Sequence, residues 1–202
     1  MKHFPKLTDT LNPVGKKHCK SCGLYLNQYP ALDKFKAAGV FWVGLSAVKF
    51  DEGSSKQPLS PETRSGELIL NMEDKFKEVI SFYRTNLVKC LPWNNSTGKI
   101  RYPLKPEMEK CFANLLSEIE ELQPAVVFLL GKQVSDFVLS KYSIKTGEPS
   151  GEFEYNSYSF GGFEFVPVHH PSYILVYKRR FVANYIAGIS KHLQRLLEMS
   201  AI

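Results

Sequence analysis

The sequence predicts a three-layer α/β fold with a central, mostly parallel four-stranded sheet flanked by helices. Short apolar runs alternate along the chain with segments whose apolar residues recur at helical spacing. The clearest run, at 125–131, is apolar throughout, as a strand must be when helices cover both faces of its sheet. Strands that alternate with helices are joined by right-handed crossovers, and these produce parallel sheets.

The individual elements follow from the same patterns. Strands are predicted at 40–44, 86–91, 125–131 and 163–168. Helices are predicted at 66–83, 107–122, 132–142 and 181–199. Loops are predicted at 49–64 and 92–106, where Pro, Gly, Ser and Asn accumulate, and a loop or a hairpin is predicted at 145–162.

Length and composition predict one domain spanning residues 1–202, with a cysteine-bearing segment at its N-terminal end. The 202 residues suffice to bury a core, and no apolar run approaches the ~20 residues of a membrane span. The first residues contain no apolar stretch of signal-peptide length, so we expect a cytoplasmic monomer without a membrane partner. The net charge of +6 favours a polyanionic partner.

Four cysteines are the most informative residues of the chain. Cys19 and Cys22 form a C-x-x-C pair, and Cys90 and Cys111 are the other two. In a reducing compartment all four can meet at one metal centre, and four thiolates suit an iron–sulfur cluster or a structural zinc ion. The long gaps between Cys22, Cys90 and Cys111 do not match a compact zinc ribbon. Four unrelated buried cysteines are the alternative.

Polar residues collect where the predicted strands end. They are the turn Gly44-Leu45-Ser46-Ala47, the segment Thr85-Asn86-Leu87-Val88-Lys89-Cys90 and the segment Val168-His169-His170-Pro171-Ser172. Parallel sheets bind their ligands beyond the carboxyl ends of the strands. The sequence therefore places a binding site at this edge.

These three segments, in this order, resemble motifs of the uracil-DNA glycosylase superfamily, most closely those of its iron–sulfur families 4 and 5. The resemblance extends from about Cys19 to the last predicted helix. It implies a domain of that family, DNA as partner and a 4Fe-4S cluster as cofactor, with zinc as the alternative. The ligands it implies are Cys19, Cys22, Cys90 and Cys111.

The resemblance also implies roles in base recognition and catalysis. Asn86 lies where the family uses an asparagine to bind the flipped base, and an amide offers a donor and an acceptor to a uracil edge. Gly44, Leu45 and Ser46, which form the turn after the first strand, and Leu59 are the other residues expected to contact the substrate. His170 matches the histidine that stabilises charge on the leaving base. Either His169 or His170 could face the pocket, and we expect the two to point to opposite sides.

The segment after His170 corresponds to the family's DNA-inserting loop. An apolar wedge flanked by cations suits insertion into a duplex, and a buried turn is the alternative. The residues implied for DNA contact are Ser172, Ile174, Lys178, Arg179 and Arg180.

The chain departs from the family pattern in its first motif. Family 4 has a water-activating glutamate where this chain has Leu45; family 5 also has leucine, but its usual proline is replaced by Ala47. The phenylalanine that stacks on uracil after a proline is replaced by Leu59. Among nearby carboxylates we favour Asp51 over Glu52 as the water-activating group, with two solvated loop charges as the alternative.

The primary hypothesis is a monofunctional DNA glycosylase that flips and hydrolytically excises uracil or another deaminated base. A nucleic-acid-binding module that retains the fold and cluster without the chemistry is the second hypothesis. A zinc-stabilised α/β protein without a role on DNA is the third.

Overall fold

The computed structural model describes residues 19–34, 36–51, 57–147 and 151–200. The strands in these ranges are Val40–Ser46 (β1), Phe82–Val88 (β2), Trp93–Asn94 (β3), Lys99–Ile100 (β4), Val126–Leu130 (β5), Tyr158–Phe160 (β6) and Phe163–Val168 (β7). The α-helices are Arg64–Glu73 (α1), Lys105–Leu122 (α2), Lys132–Lys141 (α3), Pro171–Tyr177 (α4) and Val182–Ser200 (α5). Short 3₁₀ helices lie at Leu24–Leu26 and Arg179–Phe181.

Five strands form the central sheet in the order β2-β1-β5-β7-β6. The β1–β2, β1–β5 and β5–β7 pairs are parallel, which confirms the predicted architecture. The fifth strand is β6, which pairs antiparallel with the edge of β7. The prediction of four strands is therefore one too low, and the hairpin alternative for part of 145–162 is correct. Strands β3 and β4 form a separate two-stranded sheet.

Helices cover both faces of the sheet. On one face, α2 and α3 pack against a core that contains Phe41, Val43 and Leu129. On the other, α1, α4 and α5 pack against a core that contains Trp42 and Phe128, whose rings stack 4.6 Å apart. Successive β1 residues thus enter different cores, as the two-residue period of a strand requires.

The boundary between the first helix and the second strand was predicted wrongly. Helix α1 ends at Glu73 and irregular turns follow, so the helix predicted at 66–83 is too long. Strand β2 begins at Phe82 and ends at Val88, whereas we expected 86–91. Phe76 and Ile80 remain buried in the turns, which is why apolar residues continue at helical spacing after the helix has ended.

A helix also replaces the loop expected after the second histidine. His170 is the N-cap of α4, and Pro171 is its first residue, where a missing N–H costs nothing. The last helix, α5, agrees with its prediction to within one residue at each end. Within the described ranges, no helix combines the length and the apolar character needed to cross a membrane.

Candidate functional site

A cleft of about 1400 Å³ opens at the carboxyl edge of the sheet. It is lined by the ends of β1, β5 and β7, by Asn86 of β2 and by one side of α4. The predicted catalytic residue His170 lines it, and so do five residues predicted for substrate or DNA contact, which are Leu45, Ser46, Leu59, Asn86 and Ser172. The cleft lies where ligands bind in open parallel sheets.

One side of this cleft, the strand wall, is formed by Leu59 and Asn86, which line it, and by Gly44, which packs against their side chains without lining the cleft itself. Gly44 pairs with Asn86 in the register of β1 and β2. A Cβ atom on Gly44 would lie 2.4 Å from Asn86 Oδ1 and 3.2 Å from Leu59 Cδ2. Only glycine therefore leaves space for the Asn86 carboxamide, which is 2 % exposed and lines the cleft.

A buried ion pair supports the Leu59 part of the strand wall. Arg84 donates two hydrogen bonds to Glu73, at 3.0 and 2.5 Å, and a third to the Leu59 carbonyl oxygen at 3.1 Å. Leu59 has a φ of 50°, in the left-handed region that branched side chains rarely adopt. Arg84 thus helps to stabilise an unfavourable backbone conformation.

A second buried ion pair lies behind Asn86. Lys89 Nζ is 2.7 Å from Glu118 Oε2 and donates to the Asn86 carbonyl oxygen at 2.6 Å. The side chains of Lys89 and Glu118 are 2 % and 0 % exposed. The strand wall is therefore supported by charged groups that solvent barely reaches.

The opposite side of the cleft, the histidine wall, consists of His169, His170, Tyr173 and Tyr177. Nδ1 of His170 accepts a hydrogen bond from the Ser172 backbone N–H at 3.1 Å and lies 2.7 Å from Ser172 Oγ. Because Nδ1 is an acceptor, the neutral ring carries its proton on Nε2. Burial lowers the pKa of His170, which keeps the ring neutral at pH 7. His170 is therefore a neutral N–H donor.

His169 lines the same cleft, so the expectation that the two histidines face opposite sides is wrong. Its ring stacks on that of Tyr173, with centroids 5.5 Å apart and planes 12° from parallel. Tyr155 Oη lies 3.0 Å from its Nδ1. Burial lowers the pKa of His169 as well. Its ring is fixed by aromatic neighbours, whereas that of His170 is fixed by the helix N-terminus.

Helix α4 corrects one predicted DNA contact. Ile174 is 0 % exposed and packs in the core against α1 and α5, so it cannot act as an exposed apolar wedge. The exposed apolar residues of this helix are Tyr173, Val176 and Tyr177. Ser172 is exposed and lines the cleft.

Cations follow directly after α4. Arg179 and Arg180 are exposed, and the Arg180 guanidinium lies 4.7 Å from the centroid of the Phe181 ring. Lys178 is paired with Glu152 at 2.9 Å. The two arginines are thus available to a phosphate backbone, while Lys178 already has a carboxylate partner.

The favoured water-activating carboxylate is not brought to the cleft. Asp51 is exposed and is not among the residues that line the cavity. Glu52 lies outside the described residues. Among the described residues, the carboxylates that do line the cleft are Asp136, Glu152 and Glu154, and no motif pointed to them. Asp136 and Glu152 are paired with Lys132 and Lys178.

The four cysteines lie in one neighbourhood. Cys90 and Cys111 are buried, and Cys19 and Cys22 are half-buried. Burial raises the pKa of Cys90 to about 12, and the nearby thiols of Cys111, Cys22 and Cys19 contribute to the rise. Sulfurs so placed ionise readily only beside a cation, which is what a metal centre supplies.

Hydrogen-bond donors also point at one of these sulfurs. The Lys89 backbone N–H and the Asn114 side-chain amide donate to Cys111 Sγ at 3.4 and 3.7 Å. Such donors stabilise a metal-bound thiolate, so the residues fit a thiolate-held group. No three His, Cys, Asp or Glu side chains in the described ranges are grouped tightly enough to hold a single metal ion.

The protein is an α/β protein with a cleft at the carboxyl edge of its mostly parallel sheet. The buried Asn86 carboxamide and the neutral His170 ring line this cleft from different strand ends, an arrangement suited to a flat polar ligand. The family model of the Uracil DNA glycosylase superfamily matches residues 19–194, and the chain belongs to this superfamily. The resemblance drawn from the three motifs is thereby confirmed.

The most similar relatives include three type-4 uracil-DNA glycosylases. The protein from Archaeoglobus fulgidus is 30 % identical over 133 residues, which are 63 % of this chain and 61 % of the relative. Those from Saccharolobus solfataricus and Thermotoga maritima are each 33 % identical, over 44 % and 46 % of this chain and 40 % and 44 % of the relatives. The matches thus span less than two thirds of each relative.

The fold is similar to that of SMUG2 from Pedobacter heparinus. The two structures superpose with a TM-score of 0.56 over 80 % of this chain and 76 % of the other, at 16 % sequence identity. At this identity the likeness concerns the fold.

Sequence reasoning missed the ion pairs behind the strand wall. Lys89 lies within the quoted motif, but its side chain was given no role. Glu118 shares the buried face of α2 with Cys111 and Leu115, so a carboxylate among apolar residues was the available signal. Arg84 lay in the gap between the helix predicted at 66–83 and the strand predicted at 86–91, so no element was available to place it beside Glu73.

Proposed function

We propose that the chain is a monofunctional DNA glycosylase that flips uracil or another deaminated base out of DNA and hydrolyses its N-glycosidic bond. The observation that carries the proposal is that the Asn86 carboxamide and the neutral His170 ring line the same cleft. Membership of the superfamily supports the roles proposed below for these two groups.

Asn86 recognises the base in this proposal. Its amide offers one acceptor and two donors, so it can bond N3–H and O4 of uracil together. The carboxamide is held against Gly44, which limits the orientations it can adopt. Cytosine presents an unprotonated N3 and an amino group at these positions, and the same amide orientation rejects it.

His170 stabilises the leaving base. As the bond between C1′ and N1 breaks, its electron pair moves onto the base and charge develops on O2, where the Nε2 proton of His170 can donate a hydrogen bond. Water then bonds to C1′ and loses a proton, the base gains one, and the products are the free base and an abasic sugar. A preorganised donor of this kind is worth about 10²–10³-fold in rate.

Water activation has no carboxylate assigned to it in this mechanism. Asp51 is exposed and outside the cleft lining, so we expect Asp51→Asn to retain the wild-type rate. A loss of about 10²-fold or more in that variant would restore Asp51 as the general base.

DNA contact is proposed for α4 and the cations after it. Val176 and Tyr177 are 68 % and 73 % exposed beside the cleft, and Arg179 and Arg180 follow. Apolar side chains can occupy the space left by a flipped base, while arginines bind the flanking phosphates. These residues replace Ile174 in the proposed contact.

Cys19, Cys22, Cys90 and Cys111 would hold a 4Fe-4S cluster, with zinc as the alternative. The proposal is supported by the nearness of the four thiols, since Cys111, Cys22 and Cys19 all help to raise the pKa of Cys90, and four thiolates suit such a cluster. When bound, the cluster would cross-link the segment around Cys19 to β2 and α2. Protein purified without oxygen should be brown, with broad absorbance near ~400 nm; colourless protein with one zinc per chain would establish the alternative.

A nucleic-acid-binding module without catalysis is the second candidate. It is favoured by Leu45 and Leu59, which stand where family members have a water-activating carboxylate and a base-stacking ring. Both candidates share the cleft and the exposed arginines, so DNA binding does not distinguish them.

The test is excision from a labelled oligonucleotide that contains one uracil, detected by cleavage at the abasic site. Substrates with hypoxanthine, xanthine or thymine in the same place give the base preference. Asn86→Ala should lose excision by an order of magnitude or more while DNA affinity changes little, since phosphates dominate affinity. If the wild-type protein binds the oligonucleotides but excises none of the bases, the binding module is correct.

A further inference from the structure

Lys89 and Glu118 form a charged pair in the interior, directly behind the strand wall. The Lys89 ammonium makes three hydrogen bonds: to Thr85 Oγ1 at 2.6 Å, to the Asn86 carbonyl oxygen at 2.6 Å and to Glu118 Oε2 at 2.7 Å. Thr85 donates to the same Glu118 oxygen at 2.8 Å. All three ammonium protons are therefore used, and the network includes the backbone of Asn86.

Stability does not explain why this pair is present. Moving two charges out of water is costly, and a buried ion pair often contributes no more than apolar residues of the same volume. The Tyr83 hydroxyl also interacts with Glu118, and the rest of the surroundings is apolar, with Leu87 and Leu115 at 0 % exposure. An apolar pair could fill the space, but it could not bind the carbonyl oxygen of Asn86.

The bond from Lys89 to Asn86 lies near the carboxyl end of β2, where few further strand pairings hold the backbone. Asn86 is two residues from the end of β2. Beyond it, the last pair in the register of the two strands is Val88 with Ser46 of β1. Lys89 follows the strand and folds its side chain back onto Thr85 and Asn86. Because Glu118 belongs to α2, the network fixes this end of β2 relative to a rigid helix.

We propose that the Lys89–Glu118 pair positions Asn86 for base recognition. The inference rests on the proposed function, since it concerns the residue that would bind the base. Lys89 and Glu118 contact no substrate and are positioning residues. Small misplacements of a recognising group can cost about 10²-fold in rate, so a bond to the backbone of that group is enough to matter.

Two variants separate positioning from simple stabilisation. Lys89→Met/Glu118→Leu removes both charges and fills the space, so we expect it to lose less thermal stability than a variant that keeps one unpaired charge, but to have an excision rate at least ~10-fold lower. Glu118→Gln leaves a buried charge without its counter-ion and should be less stable. Its amide oxygen still accepts from Lys89, so the bond to Asn86 remains and excision should stay within about threefold of wild type below the melting temperature.

Thermal stability and excision rate should therefore rank the double variant and Glu118→Gln in opposite orders. A purely structural role predicts the same order in both, with the double variant the more active. The loss in the double variant should be in kcat and in preference for uracil over thymine, with KM little changed. The exposed pair Asp74–Lys77 gives the matched control, Asp74→Ala/Lys77→Ala, which should change neither property.

The remaining outcomes are also decisive. Metal content per chain is measured for every variant, because Lys89 is next to Cys90; the comparison uses preparations with wild-type content.

If Lys89→Met/Glu118→Leu does not fold, Lys89→Met/Glu118→Gln takes its place. A stable double variant with wild-type excision and preference overturns the positioning role. Wild-type protein that excises nothing overturns the proposed function instead.

Discussion

The two walls of the cleft are built on different physical principles. The strand wall is buried, and charged pairs beneath it bond the carbonyl oxygens of Leu59 and Asn86. The histidine wall is partly exposed and depends on a helix N-terminus and on stacked rings. We expect the group proposed to select the base to need a rigid interior, and the groups proposed to meet DNA to need access to solvent.

The largest expected effect is on the free energy of unfolding, when each ion pair behind the strand wall loses its carboxylate. Glu118→Ala should lower the free energy of unfolding by about 3–5 kcal/mol, because Lys89 would be left buried without its counter-ion. Glu73→Ala should cost less, about 1–3 kcal/mol, because Arg84 is 11 % exposed and keeps its bond to Leu59. Urea unfolding at pH 7 measures both; equal losses would mean that the small difference in exposure is irrelevant.

The second prediction concerns the histidine wall and should affect catalysis alone. His170→Asn retains a side-chain acceptor for the Ser172 N–H, so α4 keeps its cap and stability should be unchanged. Excision should fall by about 10²–10³-fold because the donor to the leaving base is lost. His169→Asn is the matched neighbour and should cost less. If the two variants lose equally, His170 is not the special donor.

The sequence predicted the parallel sheet and the family because both depend on local patterns. Apolar runs, strand–helix alternation and the Asn86 and His170 motifs are all readable over a few residues. The ion pairs are not, since Glu118 meets Lys89 only when α2 packs on β2. Only part of the start of α4 could be predicted. Pro171 is a residue type favoured at the first position of a helix, and this signal was overlooked because the segment had been interpreted as a DNA-inserting loop.

The third prediction tests how closely the strand wall is packed. In Gly44→Ala the new methyl group would meet Asn86 Oδ1, so the carboxamide must move. Excision should fall by about 10–100-fold, more than stability alone would explain. Gly39→Ala is the control, because a Cβ atom there meets nothing within 4 Å. A Gly44→Ala protein with wild-type activity would show that Asn86 need not occupy this place.

The fourth prediction is a pH dependence confined to the histidine wall. Burial lowers the pKa of His170 in the folded protein, so its contribution to stability is full above the unfolded value of about 6.5. That contribution is lost as the pH falls from there to the lowered folded pKa, because a protonated Nδ1 cannot accept the Ser172 N–H. Thermal unfolding between pH 7 and 5 should show a smaller acid loss in His170→Asn than in wild type. His169, whose pKa burial also lowers, should account for part of the loss that remains.

The smallest expected effect is at the exposed end of the histidine wall. Tyr177 is 73 % exposed and lies beyond the stacked pair of His169 and Tyr173. If it fills the gap left by a flipped base, Tyr177→Ala should slow excision from duplex DNA by a few-fold, because unstacking a base costs a few kcal/mol and only part of this is offset by one side chain. Excision from a single strand, where no stack is broken, should not change. Val176→Ala is the comparison variant on the same helix. An equal loss of excision by Tyr177→Ala on duplex and single-stranded DNA would assign Tyr177 to base binding instead of duplex opening.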